Sequence, residues 1–150
     1  MVVEQAKGAD SGLQAKVHQA ILSFDPLRMF SHAMSVQVND GRVQLLGTVR
    51  TPMMKRMAEE LARKVPGIQG VQNNLLTDTE LQLQVAQRLA ADPRTRLLTD
   101  EVTVRGFLGT IYLQGSVDSA ARREIAAKVA GEVPGVRQVI NELSVRENTP

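Results

Sequence analysis

Apolar positions recur along this chain at two spacings, and each spacing predicts one kind of element. Over residues 13–24 they return every three or four residues, which is typical of a helix with one buried face. Over residues 43–49 they take alternate positions, which is typical of a half-buried strand. The Asn-Asp-Gly turn signal at residues 39–41 predicts a hairpin between that strand and a shorter one at residues 36–38.

A second helix and a third strand are predicted after the hairpin. Thr51 is the predicted N-cap of this helix and Pro52 its first residue, and Ser119 is the N-cap of a similar helix later in the chain. Pro66-Gly67 ends the helix, because proline cannot continue the hydrogen-bond ladder and glycine tolerates a positive φ. A strand, a helix and a strand in succession favour a crossover to a parallel neighbour.

The whole pattern occurs twice along the chain. The peptide VPGIQGVQNNL at residues 65–75 returns as VPGVRQVINEL at residues 133–143, an offset of 68 residues. Both first helices begin with a capping-box sequence, with Ser11 and Thr79 at the N-cap position. The buried face of the second helix is predicted to hold these residues in the two copies: Met57, Leu61, Val65, Ile125, Val129 and Val133.

This repeat defines the domain organisation. Residues 11–78 form the first predicted domain and residues 79–147 the second. A disordered N-terminal tail over residues 1–10 and a short C-terminal tail over residues 148–150 flank them. The predicted fold class is α+β, with two tandem αββαβ units that each contain a small three-stranded mixed sheet and two helices packed on it.

Six residues that recur at the same offset are predicted to be structural: Gly47, Gly115, Gly67, Gly135, Asn73 and Asn141. The first glycine of each copy lies on the inward side of its strand, where a missing Cβ would let a helix backbone approach closely. The second glycine ends the helix. Each asparagine is an inward amide that needs a hydrogen bond, and a turn or a strand edge is favoured over a ligand.

Composition and charge narrow the chemistry. The chain has no cysteine, which excludes disulfides, zinc-thiolate sites and cysteine nucleophiles. Aromatic residues make up only 3% and the net charge is only +2, so no nucleic-acid partner is expected. His18 and His32 lie at non-equivalent places, and Glu59 and Glu60 point in different directions on a helix. No catalytic residue, metal site or cofactor is therefore predicted.

Two basic pairs are the candidate ligand-binding residues. Lys55-Arg56 and Arg122-Arg123 occupy the same place in each copy, one turn into the second helix, where cations oppose the helix dipole. Glu59 and Glu60 offset this cost in the first copy, whereas alanines stand at the equivalent positions of the second. Arg122 and Arg123 are therefore predicted to be available to an anion, with a solvated arginine pair as the alternative.

Apolar residues at two further places are candidate partner contacts. Phe107-Leu108 lies at a predicted hairpin tip beside Arg105 and two glycines. Such a tip suits a membrane interface or a partner's pocket, and the alternative is that it folds back onto the neighbouring repeat. The outward sides of the sheets, predicted to pack on the other repeat or on a second chain, carry Leu46, Leu76, Tyr112 and Ile140.

The combination of these motifs resembles the BON domain, a bacterial family usually present in tandem. Its pattern appears here as VQVNDGRVQLLGTV with VPGIQGVQNNL, and as GTIYLQGSV with VPGVRQVINEL. The second copy departs from the pattern in its hairpin, where RGFLGT is predicted to form a longer loop. The resemblance implies an αββαβ fold and a non-enzymatic role in binding anionic phospholipid surfaces or envelope proteins.

The functional hypothesis is a non-catalytic binding module in a bacterial stress or envelope-maintenance role, with anionic phospholipid or an envelope-associated protein as its partner. A structural or homo-oligomerising protein-interaction module is the first alternative. A cytoplasmic ion-sensing module is the second, since some relatives are cytoplasmic and one binds potassium. The chain as given shows no signal peptide and predicts a cytoplasmic location, whereas a signal removed from before it would indicate the periplasm.

Overall fold

The chain divides into two compact units, Met1–Thr77 and Asp78–Pro150. The structure is a computed structural model that describes residues 2–3, 9–98 and 101–146. Both units contain the order helix, strand, strand, helix, strand, and the first has short additional elements, so the predicted fold class of two tandem αββαβ units is confirmed.

The first unit is a mixed sheet with helices packed on it. Strands β2 and β3 form an antiparallel hairpin, and β4 and β5 both pair in parallel with β3. A short strand, β1, pairs in parallel with the other edge of β2. The elements are β1 (Val2–Val3), α1 (Ala9–Leu22), α2 (Asp25–Met29), β2 (Met34–Asn39), β3 (Arg42–Val49), α3 (Pro52–Arg63), β4 (Gly70–Asn73) and β5 (Leu76–Thr77).

The second unit repeats this arrangement with fewer elements. Its strand order is β6-β7-β8, with the first pair antiparallel and the second parallel. The final strand is continuous here, whereas its counterpart in the first unit is divided between β4 and β5. The elements are α4 (Asp78–Ala91), β6 (Val102–Phe107), β7 (Thr110–Val117), α5 (Ala120–Gly131) and β8 (Gln138–Val145).

The second helix of each unit begins at the predicted N-cap. Thr51 Oγ1 accepts a hydrogen bond from the backbone N–H of Met54 at 3.2 Å. Ser119 Oγ accepts the equivalent bond from Arg122 at 3.2 Å. These bonds satisfy N–H groups that have no partner within the helix, so they fix the residue at which each helix begins.

The buried face of this helix agrees with the prediction at Val65, Val129 and Val133, and differs from it by one position at Met57, Leu61 and Ile125. Ala58 and Ala62 of α3 are fully buried, whereas Met57 and Leu61 are only half-buried at its flank. Small side chains on this face let the helix lie close to the sheet, and the longer ones fill the space beside the contact. The equivalent buried residues of the second unit are Ala126, Val129, Ala130 and Val133.

The hairpin of the second unit has the same two-residue turn as the first, so the prediction of a longer RGFLGT loop is wrong. Phe107 pairs with Thr110, which leaves only Leu108 and Gly109 in the turn, at φ +47° and φ +87°. Two consecutive positive φ values are typical of a type I′ turn. A leucine rarely adopts such a φ, which is why the sequence pattern did not indicate a turn here.

Gly47 and Gly115 are required for a reason that differs from the predicted one. A Cβ at Gly47 would overlap the carbonyl oxygen of Ala33, and one at Gly115 would overlap that of Glu101. Both glycines also have a positive φ, at +107° and +121°. The backbone that approaches each glycine is therefore the segment just before the paired strand, at Ala33 or Glu101, and not a helix backbone.

Gly67 and Gly135 allow the turn that ends the second helix. Both have φ +97°, and each is the third residue of a turn that begins at Val65 or Val133. In the first unit Ile68 N donates to Val65 O at 3.3 Å. In the second unit Val136 N donates to Val133 O at 3.1 Å. The Pro-Gly pair thus directs the chain back into the sheet.

The N-terminal part of the chain differs from the predicted tail over residues 1–10. Val2–Val3 forms strand β1, and α1 already begins at Ala9. Ser11 and Thr79 consequently lie inside α1 and α4, so the prediction that they are N-caps is wrong. The predicted tail over residues 148–150 lies outside the described residues.

The glycine geometry predicts a large difference between two Gly-to-Ala changes in the same unit. Gly47→Ala should lower the free energy of unfolding by at least ~1–3 kcal/mol, because it forces an L-residue into a positive φ and onto a backbone carbonyl. Gly70→Ala is the matched control, since Gly70 has no positive φ and nothing lies within 4 Å of its added Cβ. Urea denaturation measures both, and equal midpoints would contradict the strand geometry.

Candidate functional site

Two polar side chains of the first helix hold the edge of the sheet in each unit. Asp10 of α1 accepts hydrogen bonds from the turn N–H groups of Asp40 and Gly41 at 2.9 and 3.0 Å. Gln14 Oε1 accepts one from Val38 N at 3.0 Å, and Gln14 itself is only 2% exposed. These acceptors satisfy backbone groups of β2 and its turn that would otherwise lack a protein partner.

The second unit uses the same residue types at the same offset. Asp78 Oδ1 accepts from Leu108 N at 2.7 Å, and Gln82 Oε1 accepts from Gly106 N at 3.1 Å. Sequence reasoning missed these four acceptors. The signal was present, because Asp10 and Asp78, like the two glutamines, are separated by the offset of the repeat.

Asn73 and Asn141 fasten the last strand of each unit to the second helix. Asn73 Nδ2 donates to Lys55 O at 2.8 Å, and Asn141 Nδ2 donates to Arg123 O at 2.9 Å. The side-chain oxygen of each asparagine accepts from the N–H two residues later, at 3.2 Å. Both asparagines are therefore engaged in structural bonds, with a helix carbonyl as the unexpected partner.

Arg123 closes the free edge of β8. Its Nε donates to Leu143 O and its Nη2 donates to Asn141 O, each at 2.8 Å. Arg146 N bonds to Val117 O of β7, so the backbone groups of odd-numbered β8 residues face away from β7. The guanidinium thus occupies carbonyls that an added strand would use.

Arg122 and Arg123 are not the free cations that the sequence indicated, and anion binding by them stays a prediction. Arg122 pairs with Asp118 at 3.3 Å, and Arg123 also pairs with Glu124 at 3.2 Å. The alanines at the equivalents of Glu59 and Glu60 suggested free cations, but the partners are Asp118 before the helix, the adjacent Glu124 and two carbonyls of β8. The strand carbonyls could not be foreseen from spacing within one helix.

The basic pair of the first unit lies in a different setting. Arg56 is exposed and forms no hydrogen bond or ion pair with the residues that the structure describes. Lys55 is half-buried, and its carbonyl receives the Asn73 bond. The candidate for anion contact therefore moves from the second unit to the first.

Exposed methionines stand beside these cations at one end of the first unit. Met29 at the end of α2 is 70% exposed, and Met53 in the first turn of α3 is 57% exposed. Helix α2 packs beside α3, and the register of β2 and β3 brings the two connections to the same end of the sheet. We define the α2–α3 end by five residues: Arg28, Met29, Arg50, Met53 and Arg56.

The charges of this α2–α3 end are mostly positive. Arg28 pairs with Asp25 at 2.7 Å on the surface. Arg50 is exposed and its guanidinium carbon lies 6.0 Å from the centre of the Phe30 ring, which is within cation–π range. Arg56 thus adds a positive charge that Asp25 does not balance.

The second unit repeats the apolar and basic neighbours at the matching place. Arg96 and Leu97 stand 68 residues after Arg28 and Met29, and Leu97 is 79% exposed. These pairs were not predicted from the sequence, because isolated apolar residues in loops are common. Their recurrence at the offset of the repeat is the signal that could have found them.

The predicted partner contacts are only partly exposed. Leu108 is 2% exposed and so is not an apolar tip, whereas Phe107 is 42% exposed. The four outward sheet residues are half-buried. Tyr112 and Ile140 are neighbours in register with Arg105, so the outer face of the second sheet combines aromatic, aliphatic and basic side chains. The four outward residues are Leu46, Leu76, Tyr112 and Ile140.

A network of ion pairs joins the two helices of the second unit. Arg94 donates to Asp92 at 2.8 Å and to Glu132 at 2.7 Å, and Arg88 bonds to Glu132 at 3.2 Å. The hydrogen bonds from Arg94 hold the pKa of the nearly buried Asp92 carboxyl well below its usual range. They also lower the pKa of Glu132.

Other chemistry finds little support in the described residues. They contain no group of three or more His, Asp or Glu side chains that could hold a metal ion. None of the described helices combines the length and apolar character needed to cross a bilayer. Burial lowers the pKa of His18 on α1, and its Nδ1 has no hydrogen-bond partner there.

The chain matches one known protein family at two places along its length. The model of the BON domain matches residues 9–76 and again residues 77–147. The chain is 28% identical to osmotically-inducible protein Y of Escherichia coli, over 91% of this chain and 73% of that protein. It is 29% identical to the outer membrane lipoprotein DolP of Haemophilus influenzae, over 87% and 72%.

A solved structure shows a weaker likeness. The C-terminal domain of CdsD, the structural protein of the type III secretion system of Chlamydia trachomatis, is 12% identical with a TM-score of 0.39. The match covers 95% of this chain and 100% of that domain. Similarity at this level adds nothing to the family match.

The two arginines of α5 should respond differently to substitution. Arg123→Ala removes two bonds from a charged donor to strand carbonyls and should lower the free energy of unfolding by about 1–3 kcal/mol. Arg122→Ala removes one exposed ion pair and should cost less than about 1 kcal/mol. Urea denaturation compares them. Equal losses would show that the bonds of Arg123 to β8 do not stabilise the unit.

The ion-pair network predicts a pH-dependent contribution from Asp92. A folded-state pKa below the unfolded value means that the ionised carboxylate stabilises the second unit at neutral pH. Asp92→Asn should therefore be less stable than wild type at pH 7, and the difference should shrink as the pH falls below about 4. Denaturation midpoints from pH 7 to pH 3 test this, with the exposed Asp25→Asn as control. A difference that is the same at every pH would rule out the ionic origin.

Proposed function

Because the chain belongs to the BON domain family and carries two copies of the domain, we propose that it is a non-catalytic module of the bacterial envelope that binds anionic phospholipid surfaces under stress. The related proteins support the setting: one is osmotically inducible and the other is an outer membrane lipoprotein. The α2–α3 end of the first unit carries the lipid contact.

The observation that supports this contact is the pairing of exposed methionines with cations. Met29 and Met53 are 70% and 57% exposed, and a flexible thioether inserts readily among lipid chains. Arg50 and Arg56 are exposed beside them and supply attraction to phosphate groups, at about 1 kcal/mol for each basic residue near the surface. Lipid binding requires this combination of apolar and basic side chains at one end.

The outer sheet face of the second unit supports a second candidate function, which is self-association. Phe107 is 42% exposed on the same face as the half-buried Tyr112 and Ile140. Aromatic residues beside aliphatic ones and an arginine are typical of protein interfaces. Here a second copy of the chain would bury this face.

Vesicle co-sedimentation tests the lipid contact. Wild type should bind phosphatidylglycerol vesicles at low salt, bind them less at high salt, and bind phosphatidylcholine vesicles weakly. Arg56→Ala should reduce binding about fivefold, and Met29→Ser with Met53→Ser should reduce it at both salt concentrations.

Matched controls separate the α2–α3 end from the rest of the surface. Leu83→Ser removes an apolar residue that is 56% exposed on α4, and Lys128→Ala removes an exposed cation of α5. Both should bind like wild type. No binding by wild type at low salt, or equal losses in the controls, would exclude the lipid function.

Light scattering of wild type and Phe107→Ser tests self-association. This second function predicts a dimer for wild type and a monomer for the variant.

A further inference from the structure

The two units differ where their helices meet on the outside. In the second unit Arg88 of α4 bonds to Glu132, just after α5, at 3.2 Å, and Arg94 reinforces this bridge. The offset of the repeat places Ala20 and Lys64 at the equivalents of Arg88 and Glu132. The first unit therefore lacks the side chains that make this bridge.

A groove lies at that place between α1 and α3. Ala20 and Leu61 are half-buried at its floor and Val65 is buried, so the floor is apolar. Lys16 and Lys64 are exposed at its rim, and their ammonium groups form no ion pair or hydrogen bond with the residues that the structure describes. Gln19 and Pro66 complete the lining.

The residues that line the groove indicate what kind of molecule would fit it. An apolar floor between two helices favours the apolar face of a third helix, with side chains three and four residues apart. Two lysines without carboxylate partners favour acidic residues on both flanks of that helix. The groove is formed by α1, by the end of α3 and by the residues just after it, and no methionine of the α2–α3 end lines it.

We propose that the groove between α1 and α3 of the first unit is a docking site for an acidic amphipathic helix of a partner protein. Apolar side chains of that helix lie on Ala20, Leu61 and Val65, and its carboxylates pair with Lys16 and Lys64. In the second unit the equivalent place is closed by the ion pairs of its own chain. The proposal concerns a protein partner and does not rest on lipid binding.

A designed peptide provides the probe. It is a synthetic helix of Leu, Ala and Glu, with leucines three and four residues apart and glutamates on both flanks, labelled for fluorescence anisotropy. A second peptide with lysine in place of each glutamate is the charge control. The acidic peptide should bind, and NMR shift changes should concentrate on α1 and α3. The basic peptide should bind at least tenfold more weakly.

Two variants locate the site. Lys16→Glu with Lys64→Glu should weaken binding of the acidic peptide about tenfold or more, because attraction becomes repulsion at both rims. Ala20→Arg with Lys64→Glu introduces the bridge of the second unit and should close the groove, which removes binding while the unit stays folded. Lys128→Glu, an equal change of charge on α5, should have no effect.

Three results would overturn the proposal. They are absence of acidic-peptide binding by wild type, binding that both groove variants retain, and shift changes that lie outside α1 and α3. Phosphatidylglycerol vesicles supply the remaining comparison. If wild type does not bind the acidic peptide and the groove variants lose vesicle binding, the lysines serve lipid and the groove has no helix partner. If Met29→Ser with Met53→Ser loses vesicle binding only, the two surfaces are separate.

Discussion

The structure depends on finding hydrogen-bond partners for the backbone groups at the edges of two very small sheets. A sheet of about three strands has nearly as much edge as interior, and every edge carries backbone groups that need partners. In both units an aspartate and a glutamine of the first helix accept from one edge, and an asparagine ties the other edge to the second helix. In the second unit Arg123 also bonds to carbonyls of the last strand, and the continuous β8 presents a longer edge than the divided β4 and β5.

The duplicated units share their internal bonds and differ on their surfaces. The cross-strand row Gln37, Gln44 and Gln72 of the first sheet becomes Arg105, Tyr112 and Ile140 in the second. On the helical side, the lysine-lined groove of the first unit becomes a set of ion pairs in the second. Because the ties at the edges are independent of these outer positions, each surface could change while the fold was retained. The two copies are therefore better understood as one scaffold with two different surfaces.

Much of this fold was predictable from the sequence, and the exceptions have physical causes. The repeat, the element order and the caps at Thr51 and Ser119 follow from spacing and residue type, which act locally. The type I′ turn at Leu108 was not predictable, because a leucine at φ +47° contradicts local preference and is held there by Asp78 from another element. Arg123 was misassigned for the same reason, since its partners Asn141 and Leu143 lie on a strand that follows the helix. The outer grooves and exposed methionines depend on how elements meet, which periodicity does not report.

The ties between helix and hairpin also determine how the chain can acquire its structure. Asp10 reaches the turn of its hairpin across 30 or 31 residues, and Asp78 reaches its own across 30. Every strand pair described joins residues of one unit. Loops of this length close quickly, and contacts so near in sequence favour fast folding. A nascent chain could therefore complete its N-terminal half during synthesis, before the C-terminal half has left the ribosome.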